Sequence, residues 1–117
     1  MFKITRIFND NRGDSHFEEL NVTLTCAGEI GFISNTEKVK GIIFREVMPT
    51  YNYDFHTAPQ KQYIILLDGG VEIETSLGER RTFNTGDVLL VEDIIGKGHK
   101  TKNIEVKPRK SIFVTIE

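Results

Sequence analysis

Two distant stretches of the chain carry side chains that could do chemistry together. Asp54 and His56 stand two residues apart, so on an extended strand both project to one face. Gln62 follows on an apolar run, and His99 arrives much later, after Gly96-Lys97-Gly98. Imidazole and carboxylate together suit first-row divalent metals, and two His with one carboxylate leave coordination positions open for a substrate. The same residues also read more plainly, as loop-end histidines and an aspartate that caps a turn.

Other candidates lie beside these. Glu92 and Asp93 are adjacent, so in a strand they point opposite ways. Glu92 shares a face with Leu90 and is the one expected to face a cavity, as a general base. Its other reading is a carboxylate bonded to backbone amides of the glycine turn. Tyr51 and Tyr53 are expected at the cavity mouth, with Tyr53 as a phenolic donor or simply as aromatic packing. His16 reads as a third cavity histidine or as a turn residue. Arg80-Arg81 reads as a solvated charge pair. Gly96-Lys97-Gly98 has no helix after it and is not a phosphate loop.

The elements that must position these groups read as strand nearly throughout. Leu20, Val22 and Leu24 alternate with polar residues, the period-two pattern of a half-buried strand. Ile43, Arg45 and Val47 share one face of a strand that Pro49 ends, because proline cannot donate to a sheet ladder. Gln62, Ile64 and Leu66 oppose Tyr63, Ile65 and Leu67, so both faces of that strand are apolar. Further strands follow Gly69-Gly70, Leu77-Gly78-Glu79 and Gly86-Asp87, and the last runs from Ser111 to Ile116. No segment has a convincing helical period. Short strands punctuated by turn residues predict an all-β sandwich or barrel, of the jelly-roll kind.

A chain of 117 residues predicts one domain, 1–117, with its core motifs at 54–103. Charged residues make up 27% and hydrophobic ones 38%, as in a globular domain and unlike a disordered tail. A net charge of -2 gives no reason to expect nucleic acid or an acidic membrane as partner. The longest aliphatic runs, 64–67 and 88–91, are far short of a bilayer span. The first six residues hold no apolar core of signal-peptide length, and Cys26 is alone, so a cytoplasmic location is expected. The two-faced strand 62–67 and the apolar tail 112–116 predict a homodimer.

Beside this reading, the sequence resembles a small single-domain cupin. The family's first motif, Gly-x5-His-x-His-x3or4-Glu-x6-Gly, is matched here by Asp54-x-His56-x5-Gln62-x6-Gly69. Its second, Gly-x5-Pro-x-Gly-x2-His-x3-Asn, is matched by Gly86-x5-Glu92-x3-Gly96-x2-His99-x3-Asn103. The resemblance covers roughly residues 41–116 and implies a double-stranded β-helix. It implies a metal set at Asp54, His56, Gln62 and His99 for iron, manganese, nickel or zinc. In that set Asp54 replaces a histidine and Gln62 replaces the glutamate, so one carboxylate is lost and one gained. The chain also resembles a group of short bacterial cupins without an assigned reaction. It shares with them Ser15-His16-Phe17-Glu18, Ala58-Pro59-Gln60-Lys61-Gln62-Tyr63 and the segment Glu92 to His99.

Two functions follow as expectations. One is a divalent-metal-dependent enzyme of oxygenase, lyase or isomerase type acting on a small molecule in the barrel. The other is a metal-free module that binds or senses a small ligand, with Gln62 as amide reader and the histidines as donors. Gln62 discriminates between them, because an amide is a neutral and weaker ligand than a carboxylate.

Overall fold

Twelve strands follow one another in the computed structural model, which describes residues 2–117. They are β1 (Phe2–Asn9), β2 (Ser15–Val22), β3 (Thr25–Cys26), β4 (Phe32–Ile33), β5 (Gly41–Val47), β6 (Asn52–His56), β7 (Gln62–Leu66), β8 (Gly70–Thr75), β9 (Arg80–Asn84), β10 (Val88–Val91), β11 (His99–Asn103) and β12 (Arg109–Thr115). A 3-10 turn at Gly28–Ile30 is the single helical element among the described residues. None of them forms a helix long and apolar enough to cross a membrane.

The strands form two main sheets, one ordered β2-β1-β10-β7-β12-β5 and the other β6-β11-β8-β9. From β5 onward the chain passes back and forth between the sheets, with the β8–β9 hairpin staying in the smaller one, so that four strands in each pair antiparallel. That connectivity is two nested Greek keys, a jelly roll, as the turn rhythm predicts. β1 and β2 extend the larger sheet by a hairpin, with β1 parallel to β10. β3 and β4 make a separate small ribbon.

Alternation along each strand decides what lies between the sheets. Leu66, Val71, Ile73, Phe83, Leu89 and Val91 point inward, and Ile7 and Ala58 complete the buried core. Burying side chains of this size gives about 1.5–3 kcal/mol each, the main favourable term in such a domain. The core does not fill the space between the sheets. A cavity of about 300 Å³ remains, walled on one side by Ile64, Leu66, Leu89 and Val91 and on the other by Val71 and Ile73.

Outside, the larger sheet is less fully covered. Phe44 is 77% exposed and Ile42 57% on the edge strand β5, and their ladder partners on β12 are Ile112 and Val114.

Two glycines bring the second motif against the first. Gly96, with φ +86°, lies on the backbone of Gly13, and Gly98, with φ +73°, lies on the carbonyl of His56 and the amide of Thr57. A Cβ at either position would collide with main-chain atoms that have no side-chain freedom to yield. This contact sets the start of β11 directly beside the end of β6, where His99 pairs with His56. Gly98→Ala is therefore expected to cost at least about 2–4 kcal/mol from strain and overpacking together. Denaturant unfolding reads the loss, and an unchanged midpoint would show that the close contact is not required.

Candidate functional site

The cavity becomes chemically distinctive at the β6–β11 seam. The register of that pair shifts between His99 and Thr101, which face His56 and Tyr53, so β6 carries one extra residue there. A bulge of this kind breaks period two and re-aims side chains. Tyr53 and His56, three apart, both line the cavity. Asp54 does not. It is exposed, and its Oδ1 accepts a hydrogen bond from the Phe55 amide at 2.8 Å. The expectation that Asp54 and His56 share a face is thus corrected by the bulge, and the proposed metal set loses its carboxylate from the cavity.

His56 and His99 lie side by side with ring centroids 4.7 Å apart, and Tyr53 packs on His56 at 3.8 Å. Nδ1 of His56 donates to the Asp54 carbonyl at 2.8 Å, so the neutral ring keeps an unprotonated Nε2. Burial holds His56 below the usual imidazole range, against the opposing pull of that carbonyl bond. His99 is buried, and its Nδ1 bonds Oδ2 of Asp93 at 2.5 Å. Asp93 has no exposed surface, and its other oxygen has no partner among the described residues. A buried carboxylate behind an imidazole fixes the tautomer and orientation of the ring, and stabilises the imidazolium formed when the ring takes a proton. Among the described residues the ring's one hydrogen bond is that from Nδ1, and the ring lines the cavity.

Glu92 is therefore not the cavity acid. It lies on the other side of the strand end, where Arg6 holds its Oε1 at 2.5 Å and Lys61 stands 4.0 Å from Oε2. Leu89 and Val91 line the cavity rather than Leu90, and Asp93 continues that phase, buried behind His99. The run 88–91 is apolar on both faces, so alternation alone could not choose the phase.

Gln62 opens β7 and lines the same cavity. It is 4% exposed, yet among the described residues its Oε1 has no hydrogen-bond partner. Buried amide oxygens in native proteins are nearly always satisfied, so an orphan at a cavity wall marks where a donor belongs. Tyr53, 52% exposed, stands at the cavity's rim. His16 lies elsewhere, its Nε2 2.7 Å from Asp10 Oδ2 in the β1–β2 hairpin and its ring on Phe8.

The residues that sequence reasoning missed are Arg45 and Arg109, which line the cavity near Tyr51 and Phe113. Arg109 is 3% exposed, with Nε donating to Asn103 Oδ1 at 3.0 Å. Asn103 in turn donates to the Met48 carbonyl at 3.0 Å, so the end of the second motif positions an arginine. Burial, then repulsion from Arg45, lowers Arg109 from the usual guanidinium value. The signal available was Arg45 in phase with Ile43 and Val47, a cation on a face that otherwise alternates apolar.

Among the described residues, no group of three or more His, Cys, Asp or Glu side chains is placed to hold a metal ion. The donors around the cavity are two imidazoles and an amide, and two guanidiniums share the space. Asp54, the carboxylate expected in the metal set, is not part of it.

Neither a family model nor a curated protein matches the sequence. Solved structures to which the chain is similar include three proteins of low identity. SPY1581, a conserved Streptococcus pyogenes protein of unknown function, has a TM-score of 0.47 at 15% identity, over 72% of this chain and 69% of its own. NMB1881 from Neisseria meningitidis has a TM-score of 0.45 at 10% identity, over 97% and 82%. A putative ethanolamine utilization protein Q from Salmonella typhimurium has a TM-score of 0.40 at 13% identity, over 99% and 96%.

The lowered His56 value has a consequence for stability. Above the unfolded imidazole pKa of about 6.5 the ring is neutral in both states. As pH falls through that value the unfolded chain binds the proton first, so stability falls until the folded ring is protonated as well. The melting temperature is expected to drop from pH 7 to pH 5, and His56→Gln to flatten part of that drop. Parallel curves for wild type and variant would contradict the assignment.

Proposed function

We propose that this chain is a cupin-type barrel that binds a small molecule between its sheets and acts on it by proton transfer, as an isomerase or lyase does, without a resident metal. The observation that carries the reading is the buried Asp93–His99 hydrogen bond behind a ring that lines the cavity. Such a pair is built to accept a proton: Nε2 takes it, and Asp93 stabilises the cation that forms. On a bound carbonyl compound, the C–H bond next to the carbonyl would break toward His99 Nε2. The electron pair would move to the carbonyl oxygen, giving an enolate. The unprotonated Nε2 of His56 offers a second station for the proton, and the orphaned Gln62 Oε1 accepts from a hydroxyl or amide of the ligand. Tyr53 would cover the rim as an aromatic wall, with its phenol available as a donor.

The metal-dependent alternative rests on the same histidines with Gln62. It is the weaker reading, since the set has no carboxylate of its own and faces two cations. Hydrogen–deuterium exchange separates the two. A panel of small carbonyl compounds, charged and neutral, would be incubated with the protein in D2O and followed by proton NMR. Loss of the signal next to the carbonyl is expected for at least one compound, to persist with EDTA, and to fall by about 10²–10⁴-fold in His99→Gln, the usual worth of a positioned base. Exchange abolished by EDTA would favour the metal, and no exchange in the panel would remove the proton-transfer reading.

For partners, we propose that a second copy covers the outer face at Phe44, Ile42, Ile112 and Val114. Exposed apolar residues on an edge strand are a surface that natural sheets ordinarily cover or charge. Sedimentation is expected to give a dimer at micromolar concentration and a monomer for Phe44→Glu. A wild-type monomer would end the proposal.

A further inference from the structure

The cavity holds more positive charge than the protein itself answers. Arg45 and Arg109 both line it, and among the described residues neither guanidinium has a carboxylate within ion-pair distance. Every other arginine in the β-sandwich with a cavity-lining or strand position behaves differently: Arg6, Arg80 and Arg81 each pair with a glutamate. Arg109 is the sharper case. It is 3% exposed, and among the described residues Nε is its single guanidinium nitrogen with a protein hydrogen-bond partner. Burying a cation without a counter-charge is costly, and folded proteins normally pair such a group.

The two guanidiniums are also held in place. Both pack on the Tyr51 ring, the Arg45 carbon 4.9 Å and the Arg109 carbon 5.7 Å from its centroid, and Arg45 also stands over Phe113 at 5.0 Å. Tyr51 is itself fixed by a 3.0 Å hydrogen bond from Thr101. Asn103 holds Arg109 from behind, and Gly69 packs on its aliphatic stem. Cation–π contacts orient a guanidinium without using its N–H donors. The donors therefore stay free for an anion.

We infer that the cavity takes a small organic acid, its carboxylate held by Arg45 and Arg109 and its carbon chain lying along the aliphatic wall toward His56, Gln62 and His99. The inference rests on the proposed function and specifies its substrate class. A planar carboxylate matches the guanidinium fork, which can donate two parallel bonds to it. The walls formed by Ile64, Leu66, Val71 and Leu89 favour a ligand with carbon attached over a bare inorganic anion. At about 300 Å³ the cavity sits at the small end of ligand sites, which suits an acid of few carbons.

Calorimetric titration at fixed ionic strength tests this with butyrate, 2-oxobutyrate, inorganic phosphate and uncharged butyramide. The two carboxylates are expected to bind and to raise the melting temperature, and butyramide not to bind. Arg45→Gln, at a half-buried position, is expected to weaken carboxylate binding by roughly ten- to a hundredfold, the usual cost of a hydrogen bond to a charged group. Arg109→Lys keeps the charge but not the fork and is expected to weaken it as well. Should Arg109→Lys fail to fold, Arg45→Gln decides alone. Butyramide binding as tightly as butyrate, phosphate binding alone, no binding by either carboxylate, or unchanged affinity in Arg45→Gln would each overturn the assignment. Deuterium exchange on neutral carbonyl compounds that survives such a result would leave the proton-transfer reading standing, so the two failures are distinguishable.

Discussion

The chemistry of this cavity depends on one backbone laid directly upon another. Gly98 rests on the carbonyl of His56, with no room for a side chain between them. That contact ties the two halves of the chain's polar constellation together, because His99 follows Gly98 and His56 owns the carbonyl it touches. Several neighbouring interactions reinforce the same seam. The Ser15 hydroxyl donates to the Gly98 carbonyl at 2.7 Å, the Lys97 amide bonds the Gly13 carbonyl, and the Ala58 amide bonds the Asp93 carbonyl. Asp93 is thus anchored through its main chain to the β6–β7 connection and through its side chain to His99.

Charge is distributed around this seam in an ordered way. The buried carboxylate stands behind an imidazole, while the guanidiniums stand near Tyr51 with no acid of their own. Acidic side chains that sequence alone would place in the cavity are bound elsewhere: Glu92 by Arg6, and Asp54 by its neighbour's amide. The cavity wall therefore carries two guanidiniums, even though the chain as a whole carries a net charge of -2. Local placement, set by strand phase, outweighs overall composition here.

Much of the architecture was legible in the sequence because jelly-roll strands obey alternation and their turns carry glycine. Gly78 and Gly86, both at positive φ, sit at the turns where the strand rhythm puts them. The placement of His56, Gln62 and His99 on one cavity also follows from strand phase. Asp54 was misplaced because a bulge is one residue of extra backbone, and nothing in Tyr53-Asp54-Phe55 announces it. Glu92 was preferred over Asp93 because Val88 to Val91 is apolar on both faces and leaves the phase open. Arg45 was visible on an inward face, yet Arg109 follows Pro108 at the start of a strand, where its type suggests solvent. Its burial is a tertiary fact, created when Asn103 of another strand reaches its Nε.

The packing of Tyr51 and Tyr53 has a practical side. The chain has three tyrosines and no tryptophan, so tyrosine dominates its intrinsic ultraviolet emission. Tyr51 and Tyr53 both border the cavity, whereas the Tyr63 phenol donates to Glu37 at 2.6 Å, away from it. Two of the three native fluorophores thus stand where any occupant must come close to them. The barrel carries its own optical gauge of occupancy, with no dye or engineered probe required.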